Sequence, residues 1–268
     1  MKRNNAKYGY LWFVVIAVLF SCEKQTQWDL QQSTPFMVVD AIITSEFKAQ
    51  QVLVYRSSPN LNKPPEPISS AVISIYNGSQ MVNFEPDSNN PGLYVSAPFA
   101  ATVDKTYALL IEYNGARDTA IAQMEAISPF KQDTLIVKDN LYKYIYGGSS
   151  LPAMTEVFYD WSSNTGYCST FGSCYASQTF YTISNIDVAE EFGPAKQEIW
   201  FPAGTTLIRK KYSLTKSHQE FIRSLLIETE WRGGLFDMEQ GNVLTNFSHG
   251  TRGWFAACMV ISDTNIVE

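Results

Sequence analysis

The sequence predicts a mainly β protein, with an N-terminal β-sandwich followed by a second β-rich domain that carries one amphipathic helix. Three observations predict it. Short β-branched or aromatic runs recur between turn residues along most of the chain. Asn-Gly pairs sit between two of the pairs of runs, where tight primed turns need positive backbone angles. Only one long segment repeats its apolar residues at three- and four-residue intervals, the period of a helix laid on a sheet.

The chain opens with Lys2, Arg3 and Lys7 ahead of an apolar run from Tyr10 to Phe20, which ends in Leu19-Phe-Ser-Cys22. That run is short for a permanent span, and Glu23, Lys24, Gln25 and Thr26 follow at once, so the reading is a cleavable export signal over residues 1–21. A cysteine directly after a Leu-x-small triplet is the mark of a lipoprotein signal, whose thiol is acylated before cleavage. Cys22 is therefore the expected lipidation site and first mature residue, with an N-terminal membrane helix and an incidental cysteine as the alternative. Two or three acyl chains, each methylene contributing about 0.8 kcal/mol, hold such a protein durably at a membrane. Residues 22–34 are polar and suit a tether.

Between residues 35 and 128 the strand candidates are Phe36–Ile43, Gln51–Tyr55, Ala71–Tyr76, Gly92–Ser96, Thr106–Tyr113 and Asp118–Ala126. Ser57–Pro67 contains four prolines and cannot sustain a ladder, so it reads as an exposed crossing loop. Tyr76-Asn-Gly-Ser79 and Tyr113-Asn-Gly-Ala116 read as hairpin turns. Asp87–Gly92 is a solvated turn rather than a calcium loop, for no spaced acidic set accompanies it. Near Ser128-Pro129 the composition shifts toward Tyr, Phe, Trp, Ser and Gly, which places a domain boundary there.

From 129 to 268 the strand candidates are Thr134–Val137, Leu141–Tyr146, Glu156–Trp161, Thr179–Ile183, Ile199–Phe201 and Thr206–Tyr212. The helix, over about 215–230, presents Leu214, His218, Phe221, Ile222, Leu225, Leu226 and Thr229 on one face. Thr215 as a simple cap, or Ser217 with Glu220 as a capping box, would start it, and Gly233-Gly234 would stop it. Gly253–Ser262 reads as a final buried strand, with Cys258 as a buried apolar residue.

Removal of residues 1–21 takes away three of the 20 basic residues and none of the 26 acidic ones, moving the formal charge from −6 to −9. That balance argues against nucleic acid as a partner. Cys168 and Cys174, in Tyr-Cys-Ser-Thr-Phe-Gly-Ser-Cys-Tyr, are expected to pair in an oxidising compartment. Free thiols or half of a metal site are the rivals, but no histidine or further cysteine stands at zinc-ligand spacing. Catalytic motifs are missing: there is no Gly-x-Ser-x-Gly elbow, no phosphate-binding loop and no His-Glu-x-x-His. His249 lies in a polar turn, and Glu190-Glu191 is an adjacent pair without the fixed separation that glycoside cleavage needs. The chain is expected to be no enzyme and to use no cofactor or metal. Trp161, Tyr167, Phe171 and Tyr175 crowd one glycine- and serine-rich segment, either as ligand-contacting aromatics or as core.

Val39-Asp-Ala-Ile-Ile43, Pro65 to Ile75, Pro91-Gly-Leu-Tyr94, Thr106–Ile111, and Leu235-Phe-Asp through Asn242–Asn246 to Gly253-Trp-Phe255 resemble, in that order, the Bacteroidota outer-membrane lipoproteins grouped as domain of unknown function 4249. The resemblance spans nearly the whole mature chain and is weakest between Tyr146 and Pro202. It implies an immunoglobulin-like or transthyretin-like first domain, and a lipid-anchored protein whose genes often neighbour TonB-dependent transporters. The expected role is accessory, capturing ligand beside such a transporter in the outer membrane. The alternatives are a stand-alone glycan- or peptide-binding surface module and a structural envelope protein.

Overall fold

Period-two burial of branched side chains gives this chain its strands. The computed structural model describes residues 34–58, 63–132, 134–184, 198–230 and 243–268, without the side chains of residues 170 and 171. The expected signal peptide, Cys22 and nearly all of the tether lie outside the described residues, as do Glu190-Glu191, Gly233-Gly234 and Leu235-Phe-Asp. Residues 35–268 form one compact unit.

The first half supplies β1 (Met37–Thr44), β2 (Lys48–Arg56), β3 (Glu66–Pro67), β4 (Val72–Tyr76), β5 (Met81–Pro86), β6 (Leu93–Phe99), β7 (Thr106–Tyr113) and β8 (Ala116–Gln123). The second supplies β9 (Thr134–Lys138), β10 (Leu141–Ile145), β11 (Ala153–Asp160), helix α1 (Thr165–Phe171), β12 (Tyr175–Thr182), β13 (Phe201–Pro202), β14 (Thr206–Ser213), helix α2 (Lys216–Glu228), β15 (Arg252–Cys258) and β16 (Val260–Ile266).

A nine-stranded sheet runs in the order β15-β1-β2-β6-β5-β4-β7-β8, with β3 paired to β2. It rolls over until β8 and β15 come into contact, and Ala120 bridges Phe247 beside that seam. Alternate residues such as Val39, Ala41 and Ile43 on β1, Ile73 and Ile75 on β4, and Leu109 and Ile111 on β7 meet in one apolar core. Each such Val, Ile or Leu burial contributes about 1.5–3 kcal/mol, and Ala41 less. The β7–β8 hairpin turns at Asn114 and Gly115, both at positive φ (50° and 77°), as the primed turn requires.

The end of the chain returns to this first sheet. β15 pairs parallel with β1, Val38 opposite Arg252 through Thr44 opposite Cys258. Phe255 and Ala257 enter the large core, whereas Trp254, Ala256 and Cys258 form a separate buried cluster with Phe221 of α2 and Tyr212 of β14. A strand covered on both faces needs apolar residues at every position, which explains the unbroken Trp-Phe-Ala-Ala-Cys. Gly253 makes the close approach possible: a Cβ there would stand 1.9 Å from the Val39 carbonyl oxygen. The single strand expected over Gly253–Ser262 is thus divided at Met259. There the chain leaves the large sheet and exchanges hydrogen bonds with Ser213, Ser213 N donating to Met259 O and Met259 N to Ser213 Oγ, both at 2.9 Å.

β16 then joins a four-stranded sheet, β12-β11-β14-β16, beside a three-stranded one, β13-β10-β9. Their shared core is largely aromatic: Tyr144, Tyr159, Trp161 and Phe201 pack with Val157 and Leu207. The segment at the expected boundary is tied to this sheet. The buried Lys211 donates to the Pro129 carbonyl at 2.8 Å, and the Arg209 guanidinium lies 4.3 Å above the Phe130 ring. α2 begins where Thr215 accepts a hydrogen bond from His218 N at 3.2 Å, and it buries His218, Gln219, Ile222 and Leu226.

Candidate functional site

The aromatic cluster read from the sequence divides between two surfaces. Trp161 is 3% exposed, packs in the second core, and donates its indole N–H to the Ser173 carbonyl at 2.8 Å. Tyr167 packs half-buried against the same cluster. Trp161 directly follows β11, and Tyr167 sits on α1, a short helix where the sequence reading has a loop. It carries Cys168, which forms a disulfide with Cys174, and it closes at Gly172 with φ 70°. Phe171 ends that helix, and its side chain lies outside the described part. Tyr175 instead points from β12 to the outer face of the four-stranded sheet, where it stacks on Phe158 with ring centroids 5.7 Å apart. Phe158 and Tyr175 are 39% and 50% exposed. Sequence reasoning passed over Phe158, although its signal is present: in β11 the buried positions are Ala153, Thr155, Val157 and Tyr159, so the alternation sends Phe158 outward.

A Ser, a His and an Asp also meet, without the geometry of a nucleophile. The Ser248 hydroxyl lies 2.9 Å from both Asp118 Oδ1 and His249 Nδ1, and it also receives Thr119 N–H at 3.1 Å. In a catalytic triad the imidazole stands between hydroxyl and carboxylate. Here the carboxylate binds the hydroxyl directly and stands 3.9 Å from His249 Nδ1. The two Asp118 oxygens instead accept the backbone N–H groups of His249 and Thr251, each at 3.0 Å, which fixes the loop against β8. Burial pushes the Asp118 carboxyl upward, but the bonds from Thr251, Ser248 and His249 outweigh it and hold the group below its ordinary value.

His218 and Cys258 face each other across the α2–β15 interface, Nδ1 and Sγ 4.0 Å apart. Burial pushes the His218 imidazole down to about 4 and the Cys258 thiol up to about 12, so both are neutral near pH 7. A neutral buried thiol is a poor nucleophile. Among the described residues, no three His, Cys, Asp or Glu side chains stand close enough to hold one metal ion.

The concave feature with binding character lies on the other side of the same interface. A groove of about 780 Å³ runs between the C-terminal half of α2 and the outer face of β1 and β15. Its walls are Phe36, Val38, Phe221, Leu225, Leu244 and Trp254. Phe36, Leu225 and Leu244 are 39%, 38% and 46% exposed, so three large apolar side chains left open to water share one concavity. Asp40 lines it too, flanked in register by Trp254 on β15 and Leu53 on β2. Its carboxylate is reached by solvent, yet the groove encloses it enough to raise its pKa by desolvation. Glu228 and Arg252 line the same groove. A second groove of about 530 Å³, by the N-terminus of α2, is lined in part by Asn246. The Asn246 side chain bridges the seam, donating to the carbonyls of Ile121 and Phe255. Sequence reasoning named none of these groove residues as functional.

No curated protein matches the chain. Among solved structures, the FN1–FN3 domains of chicken CNTN1 align over 69% of this chain and 64% of theirs, at 8% identity and a TM-score of 0.27. Domains A168–A170 from titin align over 87% of this chain and 66% of theirs, at 9% identity and a TM-score of 0.21. The chain thus spans just under two thirds of the length of each. The family model described as domain of unknown function (DUF4249) matches residues 23–264, and the chain belongs to that family.

Proposed function

We propose that this protein is a lipid-anchored, non-enzymatic module of the bacterial envelope that captures a ligand beside a TonB-dependent outer-membrane transporter. The observation that carries the reading is the Leu19-Phe-Ser-Cys22 step, set behind a basic start and an apolar run and followed by a polar stretch up to Thr34. Acylation of that sulfur holds the body within a tether's reach of the membrane, where a small capturing protein meets a barrel mouth. The open groove beside α2 supports the capturing part of this role, because concave apolar surfaces with few polar groups suit ligands. Affinity purification of the tagged protein from native membranes is expected to recover a large β-barrel partner. Repeated recovery of the protein alone overturns the partnership. Fatty-acid labelling of the protein and of its Cys22→Ala variant tests the anchor, with label expected only in the unaltered protein.

A second reading, a stand-alone glycan- or peptide-binding module, is favoured by the exposed Phe158–Tyr175 pair. On that reading Tyr175→Ala weakens binding to a glycan array without lowering the melting temperature. Trp161→Ala, by contrast, is expected to lower stability itself.

A further inference from the structure

We propose that the groove by the N-terminus of α2 binds an extended peptide segment, which inserts as a short strand between the free edges of β8 and β15. The inference rests on the capturing role above for its setting and adds the ligand's chemistry.

The rolled sheet brings β8 and β15 together without a ladder between them. Six antiparallel steps lead from β1 through β2, β6, β5, β4 and β7 to β8, and one parallel step leads from β1 to β15, so β8 and β15 run in the same direction along the seam. On each of them alternate residues turn their backbone N–H and C=O into it. Part of the seam is filled from within the chain. Ser248 N donates to Thr119 O at 2.9 Å and Ala120 bridges Phe247, an antiparallel rung laid on β8. One step further the Asn246 carboxamide stands in for a peptide group, donating to Ile121 O at 3.1 Å and to Phe255 O at 2.8 Å and accepting from Phe255 N at 3.0 Å.

There the filling stops, because the chain turns away toward α2, where Leu244 N donates to Ser224 Oγ at 3.1 Å. The two strands continue. Two residues on from Ile121 and Phe255, in the same direction, stand Gln123 and Ala257, and both line the groove of about 530 Å³. Thr119 and Ile121 face the seam, so alternation turns Gln123 to it as well; Cys258 O takes Ser45 N–H beside β1, so Ala257 faces away from β1 as Phe255 does. Among the described residues no group bonds the backbone N–H or C=O of either one. Ala257 is only 3% exposed, and a backbone donor and acceptor left unpaired at that depth are costly. An extended peptide running antiparallel to β8 continues the rung begun by Phe247 and supplies what Asn246 supplies one step earlier, N–H and C=O groups to both edges at once. A lone ion or an apolar molecule would leave half or all of those groups unmet.

The test uses the full-length protein in mild detergent and a library of acetylated, amidated pentapeptides with threonine at both ends and the three central positions randomised. The tightest-binding member is made again with a single backbone N-methyl group, at the second residue in one analogue and at the third in another, so that each edge of the peptide loses a donor in turn. Each methylation is expected to weaken binding about tenfold, the usual worth of one hydrogen bond whose partner is left buried. Gln123→Pro removes one seam-facing N–H and no bond of the β7–β8 ladder, so it should weaken the peptide about tenfold with the melting temperature nearly unchanged. Gln123→Ala keeps that N–H and should bind as the unaltered protein does. In the unaltered protein the peptide should also slow amide hydrogen exchange at Gln123 and Ala257, a readout that needs no variant. No binder in the library, affinity indifferent to both methylations, or slowed exchange confined to other strands overturns the proposal. None of these outcomes bears on recovery of a barrel partner, so the two readings fail separately.

Discussion

The interior of the rolled nine-stranded sheet and the inner face of the four-stranded sheet solve the same problem with different chemistry. The first is apolar and mainly aliphatic, with Leu109, Ile111, Ile73 and Val54 interleaved at or near zero exposure around a few aromatics such as Tyr94 and Phe255. The second places Arg209 and Lys211 on buried positions of β14, between Leu207 and Ser213. Each cation has a purpose-built surrounding: Arg209 pairs with Asp263 in a two-pronged contact, and Lys211 donates to Pro129 O and, at 3.4 Å, to Ser149 Oγ. Both lie against the Phe130 ring, 4.3 and 5.0 Å from its centre. The difference teaches that apolar packing suffices where strand meets strand. Where a sheet must hold an irregular segment, here 128–132, a long cation, Lys211, reaches a carbonyl that no ladder would satisfy, and Arg209 holds the segment through the Phe130 ring.

Substitutions break or sharpen that contrast. The largest effect is expected from Leu109→Ala, which leaves a cavity in the aliphatic core and should cost about 3 kcal/mol, within a range of roughly 2–5, in urea unfolding. His218 comes next. Its folded pKa of about 4 lies below the 6.5 of an unperturbed imidazole, so the unfolded chain takes up the proton first as pH falls. Its contribution is therefore fully present above about pH 6.5 and is lost progressively toward pH 4, a change on the order of 3 kcal/mol. The stability difference between the protein and its His218→Leu variant, measured at pH 7 and pH 4.5, should shrink or reverse at the lower pH. A difference that does not change with pH would remove His218 from the buried interface.

Lys211 separates the two chemistries most directly. Lys211→Ala should cost about 2 kcal/mol, through the cavity and the abandoned Pro129 carbonyl. Lys211→Met keeps the volume and, because burial with Arg209 and Lys131 nearby already disfavours the charge, should fall within about 1 kcal/mol of the original. Equal losses in the two variants would assign the site to charge rather than to filling. The smallest effect belongs to Glu46, whose carboxylate reaches Lys48 at 2.6 Å and Lys210 at 3.2 Å near the surface. Glu46→Gln should change the melting temperature only slightly, corresponding to about 0.5 kcal/mol and less at high salt.

Much of the strand pattern was legible because its signals are local. Val39, Ala41 and Ile43 alternate in plain view, Asn114-Gly115 prescribes its turn, and Thr215 caps α2 from the adjacent position. β5 carries no strand signal because Met-Val-Asn-Phe-Glu-Pro buries only Phe84 and lacks a branched alternation. α1 reads as a loop in the sequence because Thr-Gly-Tyr-Cys-Ser-Thr-Phe has poor helix formers, and its turns depend on contacts from outside, the disulfide to Cys174 and packing on the second core. Arg209 and Lys211 defeat the rule that charges face water, for their partners come from β16 and from the 128–132 segment. The candidate site was the least legible part. Asp40 is visible as a lone acid in an apolar run, but the groove exists only once β1, α2, Leu244 and β15 are assembled from distant stretches.

The parallel pairing of β1 with β15 also sets an order of events. During synthesis β1 emerges with β2 close behind, yet its other neighbour appears about 200 residues later. Until then β1 presents a bare, apolar edge, the kind that recruits strands from other chains. Maturation of the large core is therefore slow by topology and depends on the tail of the polypeptide, and a chain truncated before Arg252 should be an aggregating species rather than a smaller folded one.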